Sequence, residues 1–196
     1  MKKISALPLI GLLILTACVS SNASPSAPAT SSPQPVATEI KILPTPVSPG
    51  KMVVYEEFEV VMLEAEITSS YINEYGSNRE APAGKKLLWI HLTIKNIGGK
   101  DQVLPASEHY SVLNGTVEYK SIYGRRQDHA DYMTLTTSLV QGQAADAWLR
   151  FDIPAALELQ DLQFAFLPES SQISTGYSSS EYSWGDHPIY LWTCVP

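Results

Sequence analysis

The best candidate for holding a cation or moving a proton is Asp128-His129-Ala130-Asp131, three donors within four residues. An imidazole between two carboxylates can act as a general base or, with further ligands, bind a metal. The other histidines are His91, His109 and His187. A calcium loop needs more oxygen donors at a regular spacing, and Arg125 and Arg126, just before the stretch, oppose a cation. Asp128, His129 and Asp131 are thus marginal metal candidates, and a solvent-facing polar loop is the simpler reading. Glu56, Glu57, Glu59, Glu64 and Glu66 form an acidic run. Paired carboxylates do acid and base work on sugars, but Glu64 and Glu66 share one face of a strand and mark it as wet. The sequence contains no Gly-x-Ser-x-Gly elbow, no phosphate-cradling glycine loop and no His-Glu-x-x-His. No catalytic residue and no cofactor are assigned, and the chain is read as a non-enzyme.

The aromatic residues point instead to recognition. Tyr177, Tyr182, Trp184, Tyr190 and Trp192 crowd one C-terminal segment together with Ser178-Ser179-Ser180 and Gly185. Rings with a polar tip among small polar residues are the composition of surfaces that meet sugars or proteins. Trp184, Trp192, Tyr190 and Tyr182 are therefore the expected ligand-binding residues, with Trp89 and Trp148 as further candidates. The balance of 13 Lys plus Arg against 20 Asp plus Glu, a net charge of −7, and the lack of a basic run exclude nucleic acid as a partner. Cys194 is read as a buried, inert thiol, with no basic residue beside it to activate it, and an intermolecular disulfide or a reactive thiol is the alternative.

These groups are carried by a chain with a leader and a spacer. Lys2 and Lys3 precede an uncharged, mostly apolar stretch, Ile4 to Leu15, that is too short to span a bilayer. It ends in Leu15-Thr16-Ala17-Cys18, which resembles a bacterial lipobox. Residues 1–17 read as a lipoprotein signal peptide, and Cys18 as the lipidation site and new N-terminus. Acylation anchors the chain because each buried methylene contributes about 0.8 kcal/mol. Residues 18–50 are rich in Ser, Pro, Ala and Thr and cannot bury enough apolar surface to offset ordering, so they read as a disordered linker. The expected location is extracytoplasmic, lipid-anchored to the cell membrane, with an envelope protein or glycan as ligand.

Beyond Gly50 the pattern changes to a period of two. Val61, Leu63, Ala65 and Ile67 alternate with Val60, Met62, Glu64 and Glu66; Leu88, Ile90, Leu92 and Ile94 alternate with Trp89, His91, Thr93 and Lys95. Further strands are expected through Ala147, Leu149, Phe151 and Ile153 up to Pro154, through Leu162, Phe164 and Phe166, and over Ile189 to Cys194. Asn114-Gly115 predicts a two-residue type I′ hairpin turn, and at most one helical turn is expected near Ala155 to Leu159. Trp89 and Trp148 have the outward parity of their strands, so a C-terminal extension is expected to cover them. Short strands without long helices predict an all-β, antiparallel β-sandwich over 51–168, with a Greek-key barrel as the nearest rival and 169–196 as an aromatic-rich extension packing on the sandwich.

Gly84-Lys85-Lys86-Leu87-Leu88 leading into Thr93-Ile94-Lys95-Asn96-Ile97-Gly98, then the hairpin, then Gly142-Gln143 before Leu149-Arg150-Phe151-Asp152-Ile153-Pro154, carry a resemblance. They resemble an immunoglobulin-like domain of unknown function found on bacterial lipoproteins and similar to secreted immunoprotective antigens. The resemblance implies a fold and an extracytoplasmic address and no catalytic residues. The whole reads as a membrane-anchored lipoprotein presenting a non-catalytic binding module on loops 69–84 and 120–136 and the aromatic segment. The alternatives are an envelope hydrolase or metal-dependent enzyme using Asp128, His129 and Asp131, and a structural subunit of an envelope complex.

Overall fold

Where the alternation of apolar and polar residues is cleanest, the strands are longest. The computed structural model describes residues 44–135, 138–169, 174–175, 182–183 and 188–196, all within one unit, Glu39–Pro196. In chain order its strands are β1 (Met52–Tyr55), β2 (Phe58–Thr68), β3 (Ser70–Ile72), β4 (Asn78–Glu80), β5 (Lys85–Asn96), β6 (Gln102–Val103) and β7 (Tyr110–Asn114). There follow β8 (Val117–Ile122), β9 (Ser138–Leu139), β10 (Ala144–Pro154), β11 (Gln163–Phe166), β12 (Ser174–Thr175), β13 (Tyr182–Ser183) and β14 (Tyr190–Thr193). The described residues contain no α-helix; short 3₁₀ turns stand at Ser107–His109, Tyr132–Thr134 and Leu159–Asp161.

Eight strands form one antiparallel sheet in the order β1-β2-β5-β10-β8-β7-β11-β14. It folds over at the β10–β8 junction, which is paired only at Arg150↔Ile122 and Phe151↔Ser121. Two four-stranded layers result, and the core lies between them. Val60, Met62, Leu88, Ile90, Leu92, Ile94, Leu149 and Phe151 meet Tyr110, Val112, Phe164, Phe166 and Trp192 there. Phe151 and Phe164 touch edge to face across the gap, with centroids 6.4 Å apart. The segment before β1 ties the two outer edges together. Val47 N–H donates to Leu191 O and Thr193 N–H to Val47 O, at 2.9 and 2.8 Å, and the chain then crosses to run as β1 beside β2. This is a β-sandwich, with edges that are largely paired.

Three local expectations need correction. In β2 the core face is Val60 and Met62, both fully buried, whereas Leu63 is 37% exposed. The register slips between Met62 and Glu64, a β-bulge at Leu63, after which Ala65 and Ile67 turn inward. In the β7–β8 hairpin Asn114 pairs with Val117, so the loop is Gly115-Thr116 and not Asn114-Gly115. Only Gly115 has a positive φ there, +55°, the pattern of a type II′ turn. Asn114 stays in the strand and donates Nδ2–H to Asp161 O at 2.8 Å. The helical turn falls at Leu159–Asp161, slightly later than expected, where Asp161 Oδ2 accepts from Glu158 N–H at 2.9 Å. The strand expected over Ile189 to Cys194 is present as β14, hydrogen-bonded to β11.

Candidate functional site

The parity that sends Leu88, Ile90 and Leu92 into the core sends Trp89 and His91 to the outer face of β5, and likewise Trp148, Arg150 and Asp152 to the outer face of β10. The bulge in β2 adds Glu64 and Glu66 to this face by setting Glu64 opposite His91. Both tryptophans are nonetheless covered: Trp89 is 1% and Trp148 9% exposed, and with Leu87 they form a small apolar cluster apart from the main core. Two segments provide the cover. The β3–β4 arm contributes Tyr71 and Ala81, and the stretch after β8 contributes Arg126 and His129. They are tied together by Gln127 N–H to Ile72 O at 3.0 Å and by Arg125 to Glu74 at 2.6 Å, and to the sheet by Trp148 N–H to Ala130 O at 2.8 Å.

The rings form alternating stacks. The Arg126 guanidinium lies 5.0 Å over Trp89, Tyr71 meets Trp89 edge-on at 5.1 Å, and Arg150 covers Tyr71 at 5.7 Å. Trp148 is flanked by two imidazoles. His91 stacks at 4.5 Å with the planes 6° apart, and His129 at 4.1 Å and 11°. Since β5 borders β10 on one side and the 130–131 segment on the other, the indole is held between the two rings. Carboxylates surround them. His91 Nε2 is 2.8 Å from Asp146 and its Nδ1 3.3 Å from Glu64. His129 stands 3.7 Å from both Glu66 and Asp128, an ion-pair distance too long for a hydrogen bond. Its Nε2 is buried without a hydrogen-bond partner, which costs about 1–3 kcal/mol.

Arg126 organises the charges. It hydrogen-bonds Asp128 through Nε and Nη2, both at 3.0 Å, and Glu66 through Nη1. Desolvation opposes its charge, but the bonds to Asp128 and Glu66 outweigh this and raise its pKa above the usual arginine value. The Arg126 hydrogen bond in turn holds the Asp128 carboxyl below the usual carboxylate range. Asp131 is different: desolvation pushes its carboxyl up, partly offset by backbone N–H groups of Met133 and Gly124 at 2.8 and 3.2 Å.

The metal candidates therefore separate. Asp128 is engaged by Arg126, His129 lies flat on Trp148, and Asp131 caps the Tyr132–Thr134 turn. Among the described residues no group of three or more His, Cys, Asp or Glu side chains is placed to hold a metal ion. Trp192 is no ligand platform; it is fully buried in the core, with Nε1–H donating to Lys51 O at 2.8 Å. Tyr190 is half-buried against Tyr55 and Phe166. Trp184 and the side chain of Tyr182 lie outside the described residues, as do Cys18 and residues 1–17, the expected leader. Trp89 and Trp148 do share a site, and among the described residues loops cover them. His91, Asp146, Arg126, Tyr71 and Arg150 are the members that sequence reasoning missed; outward parity was the signal for His91, Asp146 and Arg150, and nothing local marks Arg126 and Tyr71. Cys194 is buried, its thiol pushed up to about 12 by desolvation. A separate open cavity of about 490 Å³ lies between residues 103–108 and Tyr132, Met133 and Leu135, with Glu108 its charged group.

Fold and site together define a β-sandwich domain with a polar-aromatic outer face. The chain belongs to the family described as a domain of unknown function, DUF4352, whose model matches residues 48–172. No curated protein matches the chain. Among solved structures it is similar to the yjhA protein of Bacillus subtilis, at 13% identity and a TM-score of 0.51, over 75% of this chain and 98% of that one. An uncharacterized β-sandwich protein from Clostridium difficile 630 is 16% identical with a TM-score of 0.49, over 81% and 98% of the two chains. A functionally unknown protein from Listeria monocytogenes EGD-e is 15% identical with a TM-score of 0.48, over 75% and 83%.

Proposed function

We propose that this chain is an extracytoplasmic lipoprotein, held in the membrane by an acylated Cys18, that presents its β-sandwich as a non-catalytic binding module for an envelope protein or glycan. The observation that carries the reading is the run of Lys2-Lys3, an apolar stretch and Leu15-Thr16-Ala17-Cys18, a charge, length and thiol arrangement that a lipid-transferring pathway requires. The immunoglobulin-like topology and the likeness to secreted immunoprotective antigens belong to the same proposal. Two features support binding over catalysis. Among the described residues, the cluster of titratable groups on the outer face places no hydroxyl or thiol in hydrogen-bond contact with an imidazole, and its carboxylates rim aromatic rings as recognition surfaces do.

The test is metabolic labelling of the full chain in a bacterial host with an alkyne fatty acid. Label on the wild type that is lost in Cys18→Ala supports the anchor; an unlabelled wild type, or label that persists in the variant, overturns it.

A further inference from the structure

The segment after β8 places a side chain of its own where a ligand would stack. His129 lies 4.1 Å from Trp148 and nearly parallel to it, yet makes no hydrogen bond through its buried Nε2. A ring that a site is built to hold finds partners for its nitrogens; this one has flat contact with the indole and two carboxylates, Glu66 and Asp128, each 3.7 Å away. The neighbouring indole shows what satisfies such a place. Over Trp89 sits the guanidinium of Arg126, 5.0 Å from the ring, and that fork reaches the same Glu66 and Asp128 with hydrogen bonds. Both indoles thus present a flat face beside carboxylates, and a planar cation with several donors fills one of them fully while an imidazole fills the other incompletely.

We propose that the Trp148 slot binds the guanidinium of an arginine in a basic segment of a partner protein, and that His129 is a self-ligand which vacates it. The inference rests on the binding-module reading above and specifies its ligand. Charge complementarity selects the occupant: Glu66 and Asp128 flank the slot, Glu64 and Asp146 stand beyond the indole against His91, and the chain carries a net charge of −7. The cover that must move lies outside the core between the layers. It is fastened by the Asn73–Arg126 bridge, Gln127 N–H to Ile72 O, Arg125 to Glu74, Arg126 to Glu66 and Trp89, and Trp148 N–H to Ala130 O, none of which involves that core, so His129 can leave without disturbing it. Because the slot is occupied from within, the apparent affinity is lowered by the fraction of time His129 is seated.

The experiment uses the full chain in detergent and follows tryptophan fluorescence during titration with an arginine hexapeptide, a lysine hexapeptide and a cell-wall glycan fragment. Saturable binding of the arginine peptide, about ten-fold weaker for lysine, tightened about ten-fold in His129→Ala and lost in Trp148→Ala, is expected. Since Trp148→Ala removes a buried ring, the pair Glu66→Gln with Asp128→Asn provides the second reading and must weaken arginine binding at least ten-fold. Equal binding of lysine and arginine, no tightening in His129→Ala, or binding of the glycan alone overturns the proposal. Its failure is separable from that of the lipoprotein reading, because labelling of Cys18 is read independently of any peptide.

Discussion

Replacing Trp192 by Ala should unfold much of the protein's stability and leave no defect specific to a ligand. The indole is fully buried, packs on Phe164 with centroids 5.7 Å apart, and donates its N–H to Lys51 O at 2.8 Å. Truncating a buried Trp to Ala costs about 3–5 kcal/mol, from lost transfer energy and the cavity left behind. The freed Lys51 carbonyl lies on an exposed residue and can be hydrated, so it adds little. Against a total of about 5–15 kcal/mol for a domain, this is a large share. With a urea dependence of about 2 kcal/mol per molar, the midpoint should fall by about 2 M, followed by circular dichroism on the full chain. Trp192→Phe keeps the ring contact, loses the hydrogen bond, and should cost only about 1–2 kcal/mol. An Ala variant whose midpoint lies within about 0.5 M of wild type would refute the placement of β14 in the core.

Cys194, with its thiol pushed up to about 12 by burial, should not react with an aromatic disulfide reagent at neutral pH while the chain is folded, and should react fully once urea unfolds it; prompt reaction of the native protein would contradict the burial. Asp128 and Asp131 should show midpoints displaced in opposite directions from the ordinary carboxylate value by carboxyl-carbon nuclear magnetic resonance. Asp128, held low chiefly by the Arg126 hydrogen bond, contributes stability that is present above the ordinary carboxylate pKa and lost as pH falls through its folded value. Asp131, raised chiefly by desolvation, contributes stability that is present below the ordinary value and lost as pH rises through its folded one. Arg126→Gln should move Asp128 up toward the ordinary range and leave Asp131 above it; an unmoved Asp128 would show that Arg126 is not its controlling partner.

The strands were legible because their cause is local. Leu88, Ile90, Leu92 and Ile94 all lie in the core, and Ala147, Leu149, Phe151 and Ile153 do so too, as a period of two against a single buried face demands. The β2 parity was misread because a bulge leaves no mark in the hydrophobic pattern: Val60 and Val61 are equally apolar, and only pairing with β5 shows which one points inward. Trp192 looked like a surface residue by the company it keeps in sequence, but its strand neighbour β11 and the core beneath it decide its burial.

The amino-acid sequence alone determined that this is an all-β antiparallel domain, which residues of β5 and β10 face outward, and that the usual enzyme signatures are missing. Those properties follow from residue chemistry and from spacing within a few positions. Only the tertiary structure decided that the outward tryptophans share one site, that Arg126 and His129 cover them, and that His91 meets Glu64 and Asp146, residues 27 and 55 positions away in the chain. Cross-strand neighbours depend on register, and register is set by the bulge at Leu63 and by the packing of a whole layer against its partner, not by any segment read alone.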